Sequence, residues 1–125
     1  MTVEQLPDAV RAFVLKSIDS VAELEALLLV RSTGPQPWGV SELAARLYIS
    51  EAEAGTVLQA LHRRALMARD GSVYRYTPPD ALRVDVDLLA DAYPRFLIPI
   101  TNLIHSKPRA SLRDFADAFK LREEK

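Results

Sequence analysis

Trp38-Gly39-Val40-Ser41-Glu42-Leu43-Ala44-Ala45-Arg46-Leu47-Tyr48-Ile49-Ser50-Glu51-Ala52-Glu53 opens the stretch that decides the fold. Gly39 can serve as an N-cap, and Glu42 stands three residues later, where its carboxylate reaches back to unpaired backbone donors. A helix is therefore expected from Val40 to Leu47, with Leu43, Ala44 and Leu47 facing inward. After the short turn Tyr48-Ile49-Ser50, the run Ser50-Glu51-Ala52-Glu53 has the form of a capping box and starts a further helix. Ala54, Leu58 and Leu61 are its buried stripe. After Arg64 the period changes from helical to alternating. Leu66-Met67-Ala68-Arg69 meets Ser72-Val73-Tyr74-Arg75-Tyr76 across Asp70-Gly71, a hairpin signal whose turn residues are expected at positive φ. Tyr74 and Tyr76 alternate with Arg75, so both tyrosines are assigned to the core side. Pro78-Pro79 ends the hairpin.

Helical periodicity also dominates on either side of this stretch. A first helix begins near Pro7, whose missing N–H is no loss in an opening turn. Val10, Phe13, Val14 and Ile18 lie on one of its faces, and Asp19-Ser20 is a candidate interruption. Residues 21–30 carry Val21, Leu24, Leu27, Leu28 and Val30 around most of a helix, which marks a central element. Ser32-Thr33-Gly34-Pro35 stops it. Downstream, Leu82, Val86, Leu89, Tyr93, Phe96, Ile100 and Leu103 recur with steps of four and three, the spacing of a heptad seam. Pro94 and Pro99 interrupt that seam, and a proline inside a helix costs roughly 3 kcal/mol, so a kink or break is expected near Tyr93. Ser111-Leu112-Arg113-Asp114 reads as another capping box, opening a short helix with Leu112, Phe115, Ala116 and Phe119 on one side.

The totals constrain the function. The chain has 125 residues and is read as one domain over residues 1–125. It has no cysteine, which excludes disulfides, thiol nucleophiles and cysteine-ligated metals. Sixteen basic residues face seventeen acidic ones, so a nucleic-acid surface, if built, has to be a local patch. The first residues lack the basic region of a signal peptide, and the apolar runs fall short of the ~20 residues of a membrane span. A cytoplasmic location is the expectation. His62 and His105 have no carboxylate at metal-ligand spacing. There is no phosphate loop or nucleophile motif, so neither catalysis nor a cofactor or metal is expected.

The order helix, helix, turn, helix, two-residue hairpin resembles the winged helix-turn-helix. The matching residues are Trp38 to Ala44, Ile49-Ser50, Leu58, Leu61, Ala65-Leu66-Met67 and Tyr74-Arg75-Tyr76. Their spacing is similar to that of bacterial transcription regulators of the MarR and related types, many of which have glycine where Ala65 stands. The fold class expected is mainly α with a small β-hairpin: a winged-helix core over residues 21–79, an extra N-terminal helix, and a C-terminal helical extension over residues 80–125 that can serve dimerisation.

The resemblance implies double-stranded DNA as a partner. It places the third helix of the motif in the major groove, with its exposed N-terminal half at the base edges. Of Ala52, Glu53, Gly55, Thr56 and Gln59, only Thr56 and Gln59 have side chains suited to base edges. Arg63, Arg69 and Arg75 are the candidate phosphate contacts. Glu51 and Glu53 are read as capping acids that complement the helix dipole. Arg64 is assigned to the surface or to an ion pair with Glu42 or Asp70. The alternative is a winged-helix module that contacts a protein instead of DNA. The seam from Leu82 to Leu103 either pairs with a second copy, giving a homodimer, or folds back on the helices before Val30. Leu112, Phe115 and Phe119 have the same two choices, or a third protein.

Overall fold

The structure, a computed structural model, describes residues 5–107. The amphipathic segment carrying Leu112, Phe115 and Phe119 lies outside the described residues.

The described chain is mainly helical, with one antiparallel hairpin. Helix α1 (Asp8–Ser17) starts after Pro7 and stops before Ile18, which is extended. Helix α2 (Val21–Ser32) is capped by Ser20, whose hydroxyl accepts from the Glu23 N–H at 3.1 Å. Asp19-Ser20 thus breaks the chain into two helices. Leu24, Leu27 and Val30 of α2 are fully buried, as the breadth of its apolar face requires.

Helices α3 (Val40–Leu47) and α4 (Glu51–Arg63) form the helix-turn-helix. The Glu42 carboxylate accepts from the Gly39 N–H at 3.3 Å, and the Ser50 hydroxyl accepts from the Glu53 N–H at 3.0 Å. Strands β1 (Met67–Asp70) and β2 (Val73–Tyr76) form the wing. Trp38 exchanges both backbone hydrogen bonds with Tyr74, each 2.8 Å, and so adds a one-residue third edge to the hairpin. α4 packs on α2, α3 and β1, and Leu43, Leu58, Leu61 and Leu66 are buried where they meet. This is a winged helix-turn-helix with an added helix before it and helices after it.

The wing differs from the sequence reading in its turn. Met67 opposes Tyr76 and Asp70 opposes Val73, which leaves Gly71-Ser72 as the two-residue loop. Of these, only Gly71 has positive φ, at 61°. Glycine at the first central position is what a type II′ turn needs. The shift by one residue keeps Met67, Tyr74 and Tyr76 buried together on the core face, and that burial sets the register.

The segment after the wing folds as α5 (Asp80–Ala92) and α6 (Leu97–Ser106). Pro94 lies in the turn between them. Pro99 is the third residue of α6, where its missing N–H would have had no helical partner, so neither proline disrupts a helix interior. Both helices pack on α1 of the same chain. Val86, Leu89, Phe96 and Ile100 are buried there with Val10 and Val14, and Leu82, Tyr93 and Leu103 are half-buried against the same core. Of the two choices open to this seam, pairing with a second copy or folding back on the helices before Val30, its buried residues take the second and pack on α1. The large apolar side chains that α5 and α6 leave exposed are Val84, Leu88, Leu97 and Ile98.

One ionic cluster ties these layers together. The Arg64 guanidinium, at the end of α4, donates to Asp19 and to Glu23 Oε1 at 2.7 Å. Lys107, at the end of α6, pairs with Asp19 at 3.0 Å and donates to the carbonyls of Val14 and Ile18. Arg64 is thus neither a solvated surface residue nor paired with Glu42 or Asp70, the two expectations from sequence. The α1–α2 corner supplies its partners instead, because α4 packs along α2 and brings its last turn to that corner.

Candidate nucleic-acid interface

α4 buries Ala54, Val57, Leu58, Ala60 and Leu61. The opposite face follows from helical spacing: Ala52, Thr56, Gln59 and Arg63 lie at steps of four, three and four, and all are exposed. Thr56 donates its hydroxyl to the Ala52 carbonyl at 3.1 Å and keeps acceptor capacity. The Gln59 and Arg63 side chains make no hydrogen bond or ion pair among the described residues. The fold therefore collects Thr56, Gln59 and Arg63 into one outward stripe, with Ala52 at its N-terminal end.

The two glutamates flank this stripe. Glu51 accepts from the Ser41 hydroxyl at 2.6 Å, so it links α3 to α4. Glu53 borders a cleft whose walls include Asp19, Ser20, His105 and Lys107. Glu53 thus lies on the side of α4 that faces the α1–α2 corner. Both carboxylates remain exposed in the first turn of α4, where they favour the positive end of the helix dipole.

The wing arginines are not brought together. Arg69 lies directly opposite Tyr74, so the two share a face, and the Arg69 guanidinium sits 5.7 Å from the Tyr74 ring centroid. His62 meets the same ring edge-on, and its Nδ1 donates to the Met67 carbonyl at 2.9 Å. Arg69 is thereby held beside the last turn of α4. Arg75 points to the other face of the ribbon, as strand alternation demands, and donates to the Pro35 carbonyl at 3.2 Å. Both arginines are exposed.

The charge of the module is nearly balanced. Residues 38–76 contain Arg46, Arg63, Arg64, Arg69 and Arg75 against Glu42, Glu51, Glu53 and Asp70. Arg64 is already engaged by Asp19 and Glu23. Positive charge is available at the C-terminal half of α4 and on the wing, and the N-terminal end of α4 is acidic.

Tyr48 is a feature that residue type alone does not single out. It occupies the turn between α3 and α4 with φ 58° and ψ 42°, the left-handed region, and is 95% exposed. That conformation lets the Ile49 N–H reach the Ala44 carbonyl at 3.1 Å and close the end of α3. An L-residue there costs roughly 1–2 kcal/mol, and glycine is the usual solution. The signal was present in the sequence as a turn between two capped helices with no glycine in it. The same holds at Ala65, with φ 62°, which closes α4: the Leu66 N–H reaches Leu61 O and the Ala65 N–H reaches His62 O.

No family model matches the chain, and no curated protein matches it. Among solved structures the chain is similar to BpsR of Bordetella bronchiseptica, a protein whose DNA binding is regulated by 6-hydroxynicotinic acid. The two share 20% identity over 92% of this chain and 84% of that one, with a TM-score of 0.47. Among the described residues no helix is long and apolar enough to cross a membrane, and no group of three or more histidine, aspartate or glutamate side chains is placed to hold a metal ion.

Proposed function

We propose that the protein binds double-stranded DNA through α4 and the wing, as a regulator of transcription does. The observation that carries this reading is the exposed stripe of Thr56, Gln59 and Arg63 on the outward face of α4, which no other part of the described chain covers. Gln59 can pair with adenine through its amide, and Thr56 can contact either a base edge or a thymine methyl. Arg63 follows on the same line, toward the flanking phosphates. A ribbon whose two arginines point to opposite faces is suited to sit along a groove, with Arg69 meeting one phosphate row and Arg75 the other. The nearly balanced charge of the module implies modest affinity, dominated by those three arginines.

The test is a titration of duplex DNA of mixed sequence across salt. With three phosphate contacts, log K should fall with log salt at a slope of about −2.7, so affinity drops about 40-fold between 50 and 200 mM salt. Absence of binding at the lowest salt overturns the reading. A second reading, contact with a protein, is favoured by the acidic first turn of α4, where Glu51 and Glu53 oppose phosphates. In that case a partner carrying a basic patch binds at α4, and duplex DNA does not compete with it.

A further inference from the structure

The left-handed turn at Tyr48 closes α3, but nothing in the folded chain accounts for a tyrosine at that position. A bulky side chain in the left-handed region is a conformational outlier, and glycine would hold the same turn without strain. Such a position can be offset by packing, yet Tyr48 is 95% exposed and buries almost none of its ring. No hydrogen bond or ring contact involves its side chain among the described residues. Strain without packing in exchange points outward, to something the side chain meets on another molecule.

Its place in the fold limits what that molecule is. Tyr48 stands on the turn between α3 and α4, two residues before Ser50, the N-cap of α4. The outward stripe of α4 begins four residues further on, at Ala52. A duplex laid along that stripe passes its sugar-phosphate backbone by this turn. The neighbouring carboxylates Glu51 and Glu53 make this the end of the interface that is poorest in positive charge. A phenol donates a hydrogen bond to a phosphate oxygen without needing a charge of its own.

We propose that Tyr48 is a DNA-backbone contact, its hydroxyl donating to a phosphate at the N-terminal end of α4. This rests on the DNA-binding reading above, and it adds an uncharged anchor at the end opposite to the arginines. An uncharged donor has a distinctive signature. Losing it weakens binding while leaving the salt slope unchanged, because no counterion-releasing charge is removed. Losing an arginine–phosphate contact lowers the slope by about one.

The experiment compares the full-length chain with its Tyr48→Phe, Tyr48→Gly and Arg63→Ala variants in duplex-DNA titrations at four salt concentrations, with thermal unfolding in parallel. Tyr48→Phe should weaken binding about tenfold at every salt concentration, since a hydrogen bond to a charged group is lost. Arg63→Ala should lower the slope by about one. Tyr48→Gly should bind at least as weakly as Tyr48→Phe and yet melt about 2–6 °C higher, because the turn strain is relieved. Unchanged affinity of Tyr48→Phe overturns the proposal and leaves the DNA-binding reading standing. A change of slope in Tyr48→Phe, or a lower melting point in Tyr48→Gly, also overturns it. A wild-type chain that fails to bind DNA at the lowest salt removes both, and that result is read from the wild type alone.

Discussion

Replacing Arg64 with alanine should destabilise the protein by about 2–4 kcal/mol, although the residue lies at the end of a helix and is partly open to water. Two charge-assisted hydrogen bonds vanish, one to Glu23 Oε1 at 2.7 Å and one to Asp19 Oδ2 at 2.5 Å. Hydrogen bonds to charged groups are each worth roughly 1.5–3 kcal/mol. The upper sum is not reached, for two reasons. The side chains are 11–23% accessible, so water recovers part of the solvation. Asp19 also keeps Lys107 at 3.0 Å, and Glu23 keeps its contact with the Ser20 hydroxyl. The assay is urea unfolding followed both by circular dichroism and by the fluorescence of Trp38, the only tryptophan, which is buried where the wing meets α2. With a slope of about 1.5 kcal/mol per molar, the midpoint should fall by about 1.3–2.7 M at constant slope. The pair Arg64→Met with Glu23→Gln should cost less than the two single changes added together, by about 1 kcal/mol, because the stranded carboxylate goes with its partner. A loss below about 0.5 kcal/mol for Arg64→Ala, or strict additivity in the cycle, would refute the view that this cluster fixes the last turn of α4 against the α1–α2 corner.

Three further outcomes follow from the packing and the backbone. Ala65→Gly should raise stability by about 0.5–1 kcal/mol in thermal or urea unfolding: relief of a left-handed alanine is worth roughly 1–2 kcal/mol, less the extra chain entropy of glycine. Leu89→Ala, under α1, should cost about 2–5 kcal/mol with an unfolding midpoint independent of protein concentration, whereas Leu88→Ala, on the exposed side, should cost under about 1 kcal/mol. A concentration-dependent midpoint for Leu89→Ala would return that residue to an intermolecular seam. The phenols of Tyr76 and Tyr93 are held above their usual pKa of 10.0, in both cases chiefly by burial, with Asp87 adding to the shift at Tyr76 and Glu25 at Tyr93. Their protonated forms favour the fold, so this contribution is complete below pH 10 and is lost as pH rises through the folded-state values. Unfolding midpoints measured from pH 9 upward should fall, and the fall should be shallower in Tyr76→Phe.

The parts of the fold legible in the sequence were those specified by neighbours in the chain. Gly39 with Glu42, and Ser50 with Glu53, mark helix starts within four residues, and α3 and α4 begin there. The alternation of Tyr74 and Tyr76 fixed which face of the wing is buried. The turn was misplaced by one residue because Asp-Gly is a local signal, whereas the register answers to the burial of Met67 opposite Tyr76. The Arg64 cluster could not be read, since its partners lie 41 and 45 residues away and only the packing of α4 on α2 brings them together. The seam shows the same limit. Its heptad spacing states that one face is apolar, and nothing in the spacing says whether α1 or a second chain covers it.

The candidate interface was legible as residue types and not as an arrangement. Thr56, Gln59 and Arg63 share a face because their spacing is helical. Arg69 and Arg75 separate to opposite faces of the ribbon because theirs is that of a strand. At Tyr48 the sequence shows only a glycine-free turn between two capped helices; which residue of that turn takes the left-handed angle, and how exposed it is, comes from the structure.

The measurement that bears most directly on DNA binding is a residue-resolved map of duplex DNA on the protein: amide chemical shifts of the labelled full-length chain at low salt, titrated with a mixed-sequence duplex. DNA bound along α4 and the wing gives progressive shifts concentrated at Tyr48, Ala52, Thr56, Gln59 and Arg63 and on the wing at Arg69 to Arg75, with α5 and α6 unmoved. Absence of shifts at saturating DNA, or shifts confined to the surface of Val84, Leu88, Leu97 and Ile98, would contradict that mode of binding.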